Sequence, residues 1–190
     1  NTIDGKFGTN NTLDYSAYAS GRTISVDMGD LDGTGNSTVT ISDGTTDKIK
    51  NIQNIIGGAG ADTIIGNSQN NSLVGGAGND VIKGVAGDNQ LLGGAGNDTI
   101  YSGTGNDSID GGEDNDTVSF EAATGDITVS LTTTTAQAVG GGMGTDTITN
   151  IENVIGSSHN DTISGNSGIN TLIGGAGTDK FVATKGSDTY

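Results

Sequence analysis

The chain has 190 residues, with 35 glycines, no proline and a net charge of −16 from 23 acidic and 7 basic side chains. The absence of cysteine and the single histidine exclude disulfide frameworks, thiolate metal sites and multi-histidine zinc sites. No apolar run approaches the ~18 residues of a membrane-spanning helix, and the acidity disfavours nucleic acid but suits divalent cations.

Residues 1–56 are predicted to form irregular, strand-rich coils that lead into a repeat. The segments at 23–28 (TISVDM) and 38–42 (TVTIS) alternate apolar and polar residues as strands do. The segment at 30–36 (DLDGTGN) is either a single calcium loop or a plain hairpin turn. Asp47 precedes an N-I-Q-N segment and either seeds the first turn of the repeat or caps a coil.

Residues 57–119 divide without a gap into seven nonapeptides. Each begins with about six small or turn-forming residues, chiefly Gly, Asn and Asp, which favour a turn. Each ends with one apolar residue between two neighbours that are often Thr, which predicts a short strand. No convincing amphipathic helix is found, so the pattern predicts an all-β solenoid.

The second half of the chain repeats the plan of the first. Residues 120–155 form a second irregular strand-rich segment, and 156–190 resume the nonapeptides. Residues 47–80 match 146–179 at an offset of 99, with 20 of 34 identical. We predict a strand within ITVSL at 127–131 and a loop or edge strand at Thr132–Thr135.

The repeat is too polar to hold itself together. One buried Ile or Leu per unit contributes roughly 1.5–3 kcal/mol, whereas ordering nine residues costs on the order of 9–18 kcal/mol. Each unit also adds a carboxylate close to its neighbours. Calcium accepts carboxylate and carbonyl oxygens, so a cation bound at the turns would convert binding energy into folding energy.

The repeat resembles a known family. Perfect copies of the pattern GGxGxDxUx, in which U is apolar, stand at 57–65, 75–83, 93–101, 141–149 and 174–182. They are similar to the RTX modules of bacterial proteins exported by type I secretion. The resemblance implies a right-handed parallel β-roll, several Ca²⁺ ions between stacked glycine-rich turns, and an extracellular or cell-surface location.

In such a roll two nonapeptides make one coil, so every second turn stacks on the same side. One column then contains only carboxylates, and the other begins with the amides of Asn71 and Asn89. We therefore expect calcium to bind mainly on the all-carboxylate side of the roll, an arrangement that we call a lopsided calcium ladder. The predicted metal-site residues are Gly57, Ala59, Asp62, Gly75, Ala77, Asp80, Gly93, Ala95, Asp98, Asp107, Gly111, Glu113, Asp116, Asp146, Asp161, Gly174, Ala176 and Asp179.

The expected function is that of a non-catalytic calcium-binding module of a secreted surface protein, of the adhesin or surface-layer type. The alternative is an accessory module of a secreted polysaccharide-modifying enzyme, protease or lipase. We predict no catalytic residue in this segment, although a catalytic domain could lie outside it. Candidate partners besides calcium are a cell-surface glycan, ice or neighbouring copies of the module; nucleic acid and membrane insertion are not expected.

Overall fold

The computed structural model describes residues 2–6, 10–19, 21–29, 37–182 and 184–190. These residues form twenty β-strands and, within those ranges, no helix. The predicted all-β parallel roll is therefore confirmed. No helix in the described part of the chain has the length and apolarity needed to cross a bilayer.

One face of the roll is a ten-stranded sheet with the spatial order β1-β5-β4-β3-β7-β9-β11-β13-β17-β19. Its strands are short because each nonapeptide leaves only about three residues for a strand. Their bounds are β1 Thr2–Asp4, β3 Ile24–Asp27, β4 Ser37–Ile41, β5 Thr46–Lys50, β7 Thr63–Ile65, β9 Val81–Lys83, β11 Thr99–Tyr101, β13 Thr117–Ser119, β17 Asn153–Ile155 and β19 Thr171–Ile173.

The opposite face consists of a seven-stranded sheet, β15-β16-β12-β10-β8-β6-β2, and a three-stranded sheet, β14-β18-β20. An antiparallel bridge between Ile127 and Gly140 joins the two, so the stack continues across them. The bounds are β2 Thr12–Asp14, β6 Asn54–Ile56, β8 Ser72–Ala77, β10 Gln90–Ala95, β12 Ser108–Glu113, β14 Thr128–Ser130, β15 Gln137–Ala138, β16 Thr145–Thr149, β18 Thr162–Ser164 and β20 Lys180–Val182.

Successive nonapeptides alternate between the two faces, so residues 18 apart pair in parallel register. Ile82 pairs with Ile100 on one face, and Leu73 pairs with Leu91 on the other. In the three-residue strands of the nonapeptides the apolar middle residue points inward, which follows from the two-residue period of a strand. The two inward ladders meet in a thin core, and their buried members are Ile64, Ile82, Ile100, Val118, Leu73, Leu91 and Ile109.

Each irregular segment places antiparallel strands inside the same stack. Strands β3, β4 and β5 do so on the first face, where β3 pairs in parallel with β7. Strands β14, β15 and β16 do so on the second face, where β14 pairs with β18. Thr132–Thr135 lie in the loop before β15. The segment 30–36, predicted as a calcium loop or hairpin turn, lies outside the described residues.

The two copies of the plan lie on opposite faces because an odd number of half-coils separates them. The pairing of β1 with β5 is repeated by β12 with β16: Asp4 stands opposite Lys50, and Asp110 stands opposite Thr149. The pairing of β2 with β6 is likewise repeated by β13 with β17. Each position in one copy therefore has a structural counterpart in the other.

Candidate calcium sites

The sixth residues of four stacked turns form the carboxylate column, defined as Asp62, Asp80, Asp98 and Asp116. All four side chains are buried. One carboxylate oxygen of each lower residue accepts the backbone N–H of the residue above it: the N···Oδ1 distances are 2.7 Å for Asp62 to Asp80, 2.7 Å for Asp80 to Asp98 and 2.8 Å for Asp98 to Asp116. These hydrogen bonds fix every carboxylate in the same orientation.

The second carboxylate oxygen has no such partner. Oδ2 of Asp80, Asp98 and Asp116 is buried and accepts no hydrogen bond from any described residue. Burial is the main cause that raises the pKa of Asp80 to about 7, and the pKa of Asp98 and of Asp116 to about 6. A buried oxygen without a donor is costly, so each of these three positions calls for a proton or a cation.

Each of these oxygens lies beside a backbone carbonyl of the next coil. A methyl group built on Gly75 would overlap Asp80 Oδ2 and stand 2.6 Å from the Gly93 carbonyl oxygen. At Gly93 the same construction overlaps Asp98 Oδ2 and the Gly111 carbonyl oxygen. The missing Cβ therefore allows a carboxylate oxygen and a carbonyl oxygen, the ligands that calcium prefers, to approach the same glycine.

The carboxylates themselves are not clustered. Within the described ranges no group of three or more His, Cys, Asp or Glu side chains is placed to hold a metal ion. Consecutive members of the column are a full coil apart, so carbonyl oxygens would have to supply much of the coordination. This donor set fits a hard, oxygen-preferring cation and does not fit a transition metal that needs nitrogen or sulfur ligands.

The first turn of each nonapeptide block is closed differently. Asp62 Oδ2 accepts the Gly58 N–H at 2.7 Å, and Asp161 Oδ2 accepts the Ser157 N–H at 2.5 Å. In the turns below Asp62, the residue equivalent to Gly58 is a glycine with positive φ, 116° at Gly76 and 121° at Gly94. In the turns where a glycine adopts this left-handed backbone conformation, Oδ2 of the turn's Asp has no hydrogen-bond donor.

The other edge of the roll carries the mixed column, defined as Asn71, Asn89, Asp107 and Asp146. The same N–H to Oδ1 bonds run down it, for instance Asn71 to Asn89 at 2.9 Å and Asp107 to Asp146 at 2.9 Å. The amides also donate: Asn71 Nδ2 bonds the Gln53 carbonyl at 3.0 Å and Asn89 Nδ2 bonds the Gly87 carbonyl at 2.9 Å. Here the turns are closed by protein hydrogen bonds.

The lower end of the mixed column is acidic. Asp107 and Asp146 are buried, and the Ser102 hydroxyl lies 2.8 Å from Asp107 Oδ2 and 3.1 Å from Asp146 Oδ2. One hydroxyl proton cannot satisfy both oxygens at once. Burial is the main cause that raises the pKa of Asp146 to about 7, and it also raises the pKa of Asp107.

The remaining predicted residues lie in the strand ladders, in the first turns or beside the carboxylates, apart from one that is exposed. The third residues of the stacked turns lie in strand ladders, where Ala95 pairs with Ala77 and with Glu113, and the Ala95 carbonyl accepts the Gly78 N–H at 2.7 Å. Ala59 donates its N–H to the Tyr18 carbonyl. In the second block Asp161 stacks on Asp179, whose Oδ1 accepts the Asp161 N–H at 3.0 Å. Gly57, Gly111 and Gly174 each face a carboxylate as Gly75 does, whereas Ala176 is exposed.

Comparison with protein families gives the same repeat. The pattern described as the RTX calcium-binding nonapeptide repeat matches residues 53–82, 83–118 and 155–190, more than half of the chain. The chain belongs to this family. RTX repeats are calcium-binding motifs typical of extracellular proteins exported by type I secretion. No curated protein matches the chain.

Sequence reasoning missed two residues that contact the columns. Ser102 opens its nonapeptide in place of the usual glycine, and this departure was the available signal for its bond to Asp107. Glu152 lies outside the nonapeptides, and its side chain accepts the Asp116 N–H at 2.9 Å. Its equivalence to Gln53 at the offset of 99 could have drawn attention to it.

Proposed function

We propose that this RTX chain is a calcium-folded, non-catalytic module of a secreted bacterial surface protein. The observation that carries the proposal is the row of buried Asp oxygens, at Asp80 and Asp98, that face carbonyls without a donor. Calcium at these positions would neutralise charges that otherwise accumulate in the stack. The binding free energy would then contribute directly to folding.

The proposed mechanism is a folding switch at the cell boundary. Where calcium is scarce, repulsion and desolvation of the carboxylate column keep the chain loose enough for export. Outside the cell, calcium at roughly millimolar concentration, the range of weak extracellular sites, closes the turns. Calcium titration followed by circular dichroism tests this: we expect mostly coil in chelator and strand signal on addition of calcium. A fully folded chain at nanomolar calcium would exclude the switch.

The proposed surface role is supported by the continuity of the stack. Ten strands on each face, at a spacing of about 4.8 Å, give a rod on the order of 45 Å long through both irregular segments. A stiff rod holds a partner-binding region at a distance from its anchor, as adhesin and surface-layer modules must. Binding of the calcium-loaded module to the cell surface, lost in chelator, is the expected result.

A shallow groove on the second face, lined mostly by residues with polar side chains, favours the accessory-module alternative. Its floor and walls are amide and hydroxyl side chains together with acids, among them Asn70, Ser72, Gln90, Asn106 and Thr147. Such groups can hydrogen-bond a neutral sugar chain. Saturable binding of the isolated module to a defined polysaccharide on a glycan array would favour this alternative over the adhesin or surface-layer role.

A further inference from the structure

The carboxylate column does not end at the last nonapeptide of the first block. Below Asp116 the chain continues in the segment 150–153 (NIEN), which takes the place of a further turn. The Asp116 N–H, which in other turns bonds an Asp oxygen, bonds Glu152 Oε2 at 2.9 Å. We call the contact between Asp116, Asn150 and Glu152 the junction.

Two oxygen acceptors share one small space at the junction. A methyl group built on Gly111 would overlap the Asn150 carbonyl oxygen and would stand 2.5 Å from Asp116 Oδ2. Asp116 is fully buried, and its Oδ2 accepts no hydrogen bond from the described part of the chain. A carbonyl and a carboxylate that face each other repel unless something positive lies between them.

The first copy of the plan shows how the same geometry is satisfied without a cation. There Asn11 occupies the place of Asp116, and its N–H bonds Gln53 Oε1 at 3.0 Å. Its side-chain Nδ2 donates to the Asn51 carbonyl at 2.7 Å. A methyl group on Gly5 would crowd that carbonyl and that amide, just as a methyl group on Gly111 would crowd the two acceptors of the junction.

The two copies share the same local backbone conformation at this turn. Asn51 and Asn150 both have positive φ, 55° and 50°, which aims their carbonyls into the turn. Their side chains also make the same bond, Nδ2 to Asp4 Oδ1 at 2.7 Å and Nδ2 to Asp110 Oδ1 at 2.8 Å. The copies therefore differ in chemistry and not in shape: a donor and an acceptor in one, two acceptors in the other.

The surrounding charges differ in the same direction. In the first copy the pKa of the Asp4 carboxyl is lowered, chiefly by hydrogen bonds from the Lys6 N–H and the Asn51 side chain, and further by the charges of Lys50 and Lys6. At the junction the equivalent positions are Gly112 and Thr149, so no lysine compensates there. The groups that act on Asp116 are instead the carboxylates of Asp98, Glu152 and Asp114.

We propose that the junction binds a divalent cation through Asp116 Oδ2, the Asn150 carbonyl and the Glu152 carboxylate. The ion would be calcium, because all the donors are oxygens; this choice of ion rests on the proposed function. The site would use a glutamate and a carbonyl from outside the nonapeptides, in a stretch that the family pattern does not match. Calcium would thereby tie the first repeat block to the second.

The test is to give the junction the chemistry of the first copy in the full chain, with Asp116→Asn and Glu152→Gln together. Native mass spectrometry in calcium, at about pH 8 so that carboxyls of pKa about 6 are ionised, should show one ion fewer than the wild type. In chelator the variant should keep more strand signal in circular dichroism than the wild type, since an acceptor pair becomes a hydrogen bond. Glu121→Gln, which removes a negative charge whose carboxylate contacts Ser119 instead of the junction, is the matched control and should leave the ion count unchanged.

The reverse exchange keeps the inference testable if that variant misfolds. Asn11→Asp with Gln53→Glu should add one bound ion to the wild-type count. An unchanged count in both exchanges would overturn the junction site while leaving the proposed calcium positions at Asp80 and Asp98 intact. A wild-type chain that binds no calcium at all would overturn the proposed function itself, so the two failures are distinguishable.

Discussion

The two edges of the roll are built from the same coils and yet close their turns in different ways. On one edge Asp80 and Asp98 each leave a buried oxygen without a donor. On the other edge Asn89 places its Nδ2 in the corresponding position and donates to the Gly87 carbonyl, whereas Asn71 places its Oδ1 there and accepts the Asn67 N–H at 2.9 Å. The inward Ile and Leu ladders are buried equally on both sides. At Asn89 an NH₂ group stands where Asp80 and Asp98 have an unpartnered oxygen, so a hydrogen bond takes the place of a proposed ion.

The same exchange distinguishes the two copies of the plan at Asn11 and Asp116. In both comparisons the strands stack in parallel with matching inward residues, and the polarity of one side-chain atom beside the turn glycine differs. The roll thus combines turns that the protein can satisfy by itself with turns that need a cation. The predictions below separate these two kinds of turn.

Withdrawal of calcium should have the largest effect, and it should fall first on the carboxylate edge. Hydrogen exchange during stepwise chelation should show early loss of protection at the amides of Asp62, Asp80 and Asp98. The amides of Asn71 and Asn89 should lose protection later, because their turns are closed by protein groups. Simultaneous loss of amide protection on both edges at every calcium concentration would show that the two kinds of turn do not differ in their dependence on calcium.

The next largest effect should come from adding a methyl group to a turn glycine, and this effect should differ between the two edges. Gly75→Ala crowds Asp80 Oδ2 and the Gly93 carbonyl, and Gly66→Ala crowds Asn71 Oδ1 at 2.7 Å and the Gly84 carbonyl at 2.8 Å. Both should lower the melting temperature in calcium, since both coils must shift. Only Gly75→Ala should also remove a bound ion, as counted by native mass spectrometry. Loss of an ion from Gly66→Ala as well would place calcium on the mixed column.

Side-chain substitutions should give a smaller contrast. Asp98→Asn should raise the calcium concentration needed for half-maximal folding roughly tenfold, equivalent to about 1.4 kcal/mol. Asn89→Ala removes hydrogen bonds from the other edge, at a cost of about 1–3 kcal/mol, without a comparable change in calcium dependence. Calcium titrations followed by circular dichroism would compare them. Equal shifts of the calcium midpoint in the two variants would contradict a lopsided ladder.

The effect of pH should have opposite signs with and without calcium. In the calcium-free fold, burial raises the pKa of Asp80 and of Asp146 to about 7, above the value in the unfolded chain. Their contribution to stability is therefore present at low pH and lost as the pH rises through about 7. Acidification from about pH 8 to about pH 5 should therefore increase the strand signal of the chain in chelator, as measured by circular dichroism. In calcium the same acidification should lower the melting temperature, because protons compete with the ion. A change of stability in the same direction under both conditions would exclude the Asp carboxylates as ligands.

Much of the site could be predicted from the nine-residue period. Because two nonapeptides make a coil, the positions of Asp80 beside Asp98 and of Asn71 beside Asn89 follow from counting, and the stacking bonds are found there. The acidic end of the mixed column was harder to predict. Asp146 stands 39 residues from Asp107, on the far side of an antiparallel segment whose path the period does not fix.

The sequence by itself determined the architecture of this protein: two alternating faces, two inward ladders and a column of carboxylates, because each depends only on a local period repeated in phase. The tertiary structure decided which carboxylates lack a partner. Asp62 and Asp80 occupy the same place in the repeat, but only Asp62 Oδ2 receives a backbone N–H. Glu152 meets Asp116 from 36 residues away. Hydrogen-bond closure depends on backbone orientation and on groups that folding brings together from distant segments, and a local period carries neither.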